Sequence, residues 1–253
     1  MSNTIPKIPE DLLIGRQDGD SIPLSKGQKG INSTSIGMVK TQKEYVKAYI
    51  KEIPFREVLV ETICALLGRN LGLPVPRPIW VYSNKDKPPL FGSEDLSYPS
   101  LKKFLKFSQL TVSQKNLVLD KWEQYRLTIC FDEWIANCDR HTGNILVDEN
   151  LKIFLIDHGL SIPETLSPSA NSMNQLAASI IAGKDDIFLQ KLRENLLEIA
   201  KSFNASHIAR FPSIGTPADP LLESINGFLV NRLPHLQDLI KHQVKYRQGE
   251  IPC

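Results

Sequence analysis

The sequence predicts an α+β fold, strand-rich up to about residue 95 and mainly helical from about residue 96 to residue 253. Three observations predict it. Alternating runs of β-formers fall before residue 83, and apolar residues at helical spacing dominate after about residue 110. Within the helical part, residues 145–156 form two apolar runs joined by Asp148-Glu149-Asn150, the pattern of a β-hairpin. A chain of 253 residues fits one large domain or two lobes sharing a cleft.

Residues 1 to about 20 are polar and hold Pro6 and Pro9, so they read as a loose lead-in with one short segment. Residues 21–33 hold Pro23, Gly27 and Gly30 with Lys26 and Lys29 between, a turn between strands. The backbone N–H groups of such a turn can cradle phosphate, and a solvated turn fits equally well. Residues 35–41 and 44–52 alternate as two strands around Gln42-Lys43, and the second carries Lys47 and Lys51 on one face. A helix follows over 55–72, with Pro54 just before its start. Val58, Leu59, Ile63, Leu66, Leu67 and Leu71 keep its period, Gly72 stops it, and Pro74 and Pro76 forbid continuation. Glu57 and Glu61 lie on this helix, and a carboxylate among apolar residues needs a partner or solvent. Lys51 with Glu61 is the favoured pair, and Lys47 is the alternate lysine.

Residues 76–82 read as a strand and residues 90–96 as a strand end and turn. Residues 113–137 read as one long helix leading straight into Asp139, with Trp122 and Trp134 as core residues. After Gly159 comes a loop, then helices over 171–182, 187–203 and 220–246. Lys241, His242, Lys245 and Arg247 read as a solvated helix tail.

The chemistry is carried by Asp139-Arg140-His141-Thr142-Gly143-Asn144 and by Asp157-His158-Gly159. The predicted hairpin brings Asp139, Asn144 and Asp157 to one edge of a small sheet. Phosphoryl transfer in kinase-fold enzymes needs such a set: an acid for the attacking hydroxyl, and an Asn plus an Asp to hold a metal on nucleotide phosphates. Mg²⁺ accepts few protein oxygens because it keeps waters and phosphate oxygens. A strand lysine held by a helix glutamate completes the pattern, since that lysine reaches the phosphates. His141 reads as a brace for the loop, with contact to the transferred phosphate as the alternative.

Composition narrows the class. A net charge of +2 argues for no nucleic-acid partner, and no apolar run approaches the length needed to cross a bilayer. The N-terminus shows no hydrophobic leader segment. Cys64, Cys130, Cys138 and Cys253 show no Cys-x-x-Cys pairing. Cys64 and Cys130 read as reduced core residues, which predicts a cytoplasmic protein.

These residues resemble the HipA-like kinases, in particular the short branch that is little more than the kinase core. The likeness rests on the run from Asp139 to Asp148, on Leu155-Ile156-Asp157-His158-Gly159 and on Leu71-Gly72-Leu73-Pro74-Val75-Pro76. Phe91-Gly92-Ser93-Glu94-Asp95 and Phe228-Leu229-Val230-Asn231-Arg232-Leu233 add to it, and the likeness covers about residues 35–240. The catalytic motif is also similar to that of phosphatidylinositol 3- and 4-kinases.

The resemblance implies a single HipA-like kinase domain over 1–253 with a two-lobed protein-kinase-like fold. A small mixed β-rich N-lobe would span about 1–95 and a mainly helical C-lobe about 96–253. It implies ATP as donor with Mg²⁺. Asp139 would be the catalytic base, Asn144 and Asp157 the metal ligands, and Lys51, supported by Glu61, the nucleotide-binding lysine, with Lys47 in reserve. The implied partner is a protein carrying an acceptor Ser or Thr; in HipA proteins it is a serine, sometimes on a translation factor or tRNA synthetase. The chain is much shorter than full-length HipA and lacks its extra N-terminal subdomain, so the resemblance does not extend to a HipB-type antitoxin partner or a toxin role. The expected function is a cytoplasmic ATP- and Mg²⁺-dependent Ser/Thr protein kinase. The alternatives are a small-molecule or phosphoinositide-type lipid kinase and a nucleotide-binding pseudokinase scaffold.

Overall fold

A computed structural model describes residues 8–24, 33–83, 87–108, 122–215 and 217–245. Five strands, β1 (Leu13–Pro23), β2 (Ser33–Thr41), β3 (Tyr45–Glu52), β4 (Pro78–Tyr82) and β5 (Leu90–Glu94), close into a barrel in the order β1-β2-β3-β5-β4. All pairs are antiparallel except β1 with β4, which close the barrel in parallel register from Leu13↔Ile79 to Arg16↔Tyr82. On β3 the alternation sends Val46, Ala48 and Ile50 inward, where they pack with Val39, Ile79 and Val81. Lys47, Tyr49 and Lys51 therefore share the outer face.

β1 corrects the expectation of a loose lead-in. Its sequence is polar because most of its side chains face water, and pairing with strands on both sides overrides the weak local propensity. Gly15 permits the close approach of β1 to β2, since a Cβ there would lie 2.6 Å from the Lys40 carbonyl oxygen. The turn with Gly27 and Gly30 lies outside the described residues.

α1 (Phe55–Asn70) follows β3 and is buried without a break from Val58 to Gly68. It is enclosed between β4 and β5 of the barrel on one side and the helical part on the other, so it lacks a solvated stripe over that span. Gly72, at φ +80°, turns the chain away just past its end.

The helical part contains α2 (Leu101–Phe107), α3 (Tyr125–Trp134), α4 (Gln175–Ile181), α5 (Asp186–Lys201), α6 (Ala218–Arg232) and α7 (Leu236–Gln243). The hairpin stands where the alternation put it: β6 (Ile145–Val147) pairs with β7 (Ile153–Leu155) from Ile145↔Leu155 to Val147↔Ile153. The chain is thus a mixed α/β protein with a β-rich N-terminal part and a helical C-terminal part.

Two helix expectations need correction, and one helix lies outside them. The expected helix over 113–137 is helical, among its described residues, only over α3. Ile135 and Ala136 stay buried, so the apolar pattern runs on, but Ala136 takes φ +52° and the backbone leaves the helix before Asp139. The expected helix over 220–246 is broken into α6 and α7 by a 3-10 turn, Leu233–His235, because Pro234 supplies no N–H to continue the ladder. α2 is the helix outside the sequence expectations; Ser100 caps it by accepting from the Lys103 amide at 3.3 Å.

One core joins α1 to the helical part through Leu66, Phe131, Leu155 and Leu229. Trp122 and Trp134 lie in it, as read from sequence, and so do the free thiols Cys64 and Cys130. Burial pushes both thiols up, so they stay protonated. Among the described residues no helix is long and apolar enough to cross a membrane.

Candidate active site

Lys51 sits near the end of β3, Glu61 in the middle of α1, Asn144 at the end of a 3-10 turn (Thr142–Asn144), and Asp157 just beyond β7. The Lys51 Nζ donates to Glu61 Oε1 at 2.6 Å and to Asp157 Oδ1 at 2.8 Å. A residue of the barrel, one of the spanning helix and one of the hairpin therefore meet on a single cation. Glu61 is buried, and its Oε2 accepts from the His158 backbone N–H at 2.8 Å. Gly159 is compatible with this approach, since a Cβ there would already stand 3.4 Å from Glu61 Oε1.

The electrostatics follow from this geometry. Burial works against the Lys51 charge, but Glu61 and Asp157 outweigh it and raise its pKa, so the ammonium persists. Burial pushes Glu61 up, opposed by Lys51. Burial also opposes the charge on Asp157, but Lys51 prevails and holds that carboxyl below its usual range. Burial, reinforced by the nearby charges of Arg140 and Lys51, holds His158 well below its ordinary value and therefore neutral.

Lys47 does not join this group. It pairs instead with Asp95 at 2.8 Å, its own side chain exposed and that of Asp95 nearly buried. Lys47 and Lys51 do share a face of β3, but only Lys51 lies over α1. The structure removes Lys47 as the alternate partner of Glu61.

Asn144 is tied to Asp139. Its Nδ2 donates to the Asp139 carbonyl at 2.9 Å and to Asp139 Oδ2 at 3.1 Å. Amide geometry then directs the Asn144 Oδ1 away from Asp139. Its backbone carbonyl accepts from the Ile156 amide at 3.2 Å, which sets Asn144 beside the residue preceding Asp157. His141 takes the bracing position: its Nδ1 accepts from the Gly143 amide at 2.9 Å, and its Nε2 lies 3.8 Å from Asp139 Oδ1.

Three non-glycine residues around this loop hold left-handed backbone: Ala136 (φ +52°), Asp157 (φ +61°) and Ile162 (φ +52°). Such conformations cost on the order of 1–3 kcal/mol each and persist where surrounding contacts over-determine them. Here the Ile162 amide donates to the Ile135 carbonyl at 2.8 Å, closing the chain after Asp157 onto the start of the loop.

Sequence reasoning missed the group that holds the loop. Arg140 is fully buried and pairs with Asp132, also fully buried, at 3.0 Å. Its Nη1 donates to the Asn144 carbonyl at 3.2 Å and to the Ile156 carbonyl at 2.7 Å. Asp132 also accepts from Asn137 Nδ2 at 3.0 Å, and Asn137 Oδ1 accepts from the Asp139 amide at 3.0 Å. The available signal was the acidic pair Asp132-Glu133 inside an apolar stretch, whose carboxylates must find partners.

The oxygen set suits a hard divalent cation. Asp157 is half exposed, and the free side of the Asn144 amide is an oxygen. Among the described residues no group of three or more His, Cys, Asp or Glu could hold a metal ion alone. Two protein oxygens are the complement Mg²⁺ accepts when phosphate oxygens and waters complete its shell.

A HipA-like kinase family model matches residues 25–214. The class is that of the kinase-type phosphotransferases, and the chain belongs to the HipA-like kinase family. Among solved structures, the crystal structure of a Helicobacter pylori proinflammatory kinase, CtkA, aligns over 88% of this chain and 96% of its own at 13% identity, with a TM-score of 0.46. A search of curated proteins gave no significant match.

Proposed function

We propose that this protein is an ATP- and Mg²⁺-dependent Ser/Thr protein kinase with a two-lobed protein-kinase-like fold. The whole of residues 1–253 would act as one domain, with the N-lobe over about 1–95 and the C-lobe over about 96–253. The observation that carries the reading is the Lys51 ammonium held between buried Glu61 and half-exposed Asp157. A charge fixed at the junction of barrel, helix and hairpin serves to bind an anion from the cleft, and nucleotide phosphates fit it.

Each residue has one task in this reading. Lys51 contacts phosphate oxygens of the nucleotide, and Glu61 keeps it in place. Asn144 Oδ1 and the Asp157 carboxylate hold Mg²⁺, which when bound offsets the negative charge of the phosphates. Asp139, tied to Asn144 and partly open to solvent, orients the acceptor hydroxyl and takes its proton. The hydroxyl oxygen forms the new bond to the γ-phosphorus as the bond from that phosphorus to the ADP oxygen breaks. Catalysis is then mostly positioning and electrostatics. Arg140 contributes by fixing the Asn144 and Ile156 carbonyls, and with them the spacing of the two metal-holding side chains.

The test is incubation with γ-labelled ATP and Mg²⁺, alone and with cell lysate, beside Asp139→Ala. A labelled protein band that is absent with the variant is the expected result. ATP consumption without any labelled protein would replace the protein acceptor by a small molecule or lipid. No consumption at all would leave a nucleotide-binding scaffold.

A further inference from the structure

The chain between Gly159 and α4 has no regular structure, and its side chains at Glu164, Thr165, Ser167, Ser169, Asn171 and Met173 are exposed. Its backbone is nevertheless held from within. Arg232, at the end of α6, is fully buried and donates through its whole guanidinium. Nε donates to the Glu133 carbonyl at 2.8 Å, and Nη2 to Glu133 Oε1 at 3.0 Å. Nη1 donates to the Pro168 and Ala170 carbonyls, each at 2.9 Å, and Nη2 also reaches Ser172 Oγ at 3.5 Å. Gln243 of α7 donates to the Ser172 carbonyl. Immediately beyond, Asn174 Nδ2 donates to the Ile129 carbonyl at 3.1 Å, and Gln175 Nε2 donates at 2.8 Å to the carbonyl of Cys138, the residue before Asp139.

We propose that Arg232 is a positioning residue for the phosphoryl acceptor: paired with Glu133, it sets the shape of residues 163–174, the exposed wall that leads from the Asp157 turn back to the Asp139 loop. The proposal rests on the phosphotransferase reading above. Stability alone explains the pair poorly. Taking both charges out of water costs about as much as their attraction returns, and apolar replacements of similar volume are often neutral or stabilising. What apolar side chains cannot reproduce is a planar fork of five donors that gathers three acceptors of an irregular loop onto one helix end. The nucleotide-side contacts, Lys51 with Glu61 and Asp157, involve none of these residues. The acceptor side should therefore respond to Arg232 while the nucleotide side does not.

The decisive variant is Glu133→Leu with Arg232→Met, which removes both charges and leaves neither orphaned. Transfer of the γ-phosphoryl group is measured to a degenerate Ser/Thr peptide library and, in the same tube, to water. The KM for ATP and the thermal midpoint are recorded beside them. The expected result is a loss of peptide transfer of roughly tenfold to hundredfold, mostly in the KM for peptide, since small misplacements act on this scale. Transfer to water and the KM for ATP should stay near wild type. Arg232→Lys should not rescue peptide transfer, because one ammonium cannot span the same acceptors. Peptide transfer near wild type in the double variant, or equal losses to peptide and water, would overturn the positioning role. A wild-type protein that transfers to neither acceptor would instead sink the phosphotransferase reading, and the positioning role with it.

Discussion

Arg140 and Asp132 stand eight residues apart in the chain and form an ion pair with both side chains entirely out of solvent. Through the same guanidinium, Arg140 binds the Asn144 and Ile156 carbonyls. One buried pair thus ties the end of α3 to the Asp139–Asn144 loop and to the strand that delivers Asp157. Removing one partner leaves the other charged and unsolvated. Arg140→Met should cost about 3–5 kcal/mol by urea unfolding. Arg140→Met with Asp132→Leu should lose clearly less than the sum of the single changes. Additive losses would show that the two side chains act independently.

The two β3 lysines should separate cleanly. Lys51→Met should lower phosphoryl transfer by about 100-fold or more, as removal of a single fixed donor at developing charge does. It should also destabilise the fold, because Glu61 is left buried without its cation. Lys47→Met should leave transfer near wild type and lower stability only modestly, since Lys47 is itself exposed and pairs away from Glu61 with the nearly buried Asp95, which keeps the Ser97 amide as a donor. Labelled ATP turnover and thermal melting of both variants decide the point, and equal losses would contradict the assignment.

Asp139→Asn and Asp157→Asn should each abolish transfer. Asp139→Asn should change the melting temperature little, since its side chain is partly open to solvent, whereas Asp157→Asn should lower it modestly, because Lys51 loses one of its two carboxylates. Asn144→Ala should raise the Mg²⁺ concentration needed for half-maximal rate, because it removes one of only two protein oxygens proposed for the ion. A Mg²⁺ titration unchanged in Asn144→Ala would place the ion elsewhere.

Glu133 makes a pH signature. Burial, only partly opposed by Arg232, pushes its carboxyl up from 4.5 to about 7. The folded state therefore binds a proton that the unfolded chain has already released between those values. Stability from this group is complete below about pH 4.5 and falls as pH rises through about 7, by on the order of 3 kcal/mol in total. Glu133→Gln should flatten this slope, so the gap between variant and wild type changes with pH across that window. Denaturant unfolding at pH 5, 6, 7 and 8 (about one-unit steps across the window) measures it; parallel curves would refute the assignment.

Much of this was legible in the chain because it is local. The alternation at 44–52 follows from the strand period, and Lys51 falls on the outer face for that reason alone. The hairpin around Asp148-Glu149-Asn150 and the stop at Gly72 follow from turn chemistry. What failed was also physical. β1 looked like a loop because its propensity is weak, and only its two neighbours make it a strand. The helix before Asp139 ends short of the apolar pattern because burial outlasts the helix: Ile135 and Ala136 are core residues on non-helical backbone.

Periodicity and motif spacing are properties of neighbouring residues, so they suffice for the order of β3, α1 and the hairpin and for the chemical groups at Asp139, Asn144 and Asp157. Which lysine meets Glu61, and that Arg140 finds Asp132 and Arg232 finds Glu133, follows from packing. Those choices depend on distances of a few ångströms between elements far apart in the chain, and on burial that makes an unpaired charge too costly to keep.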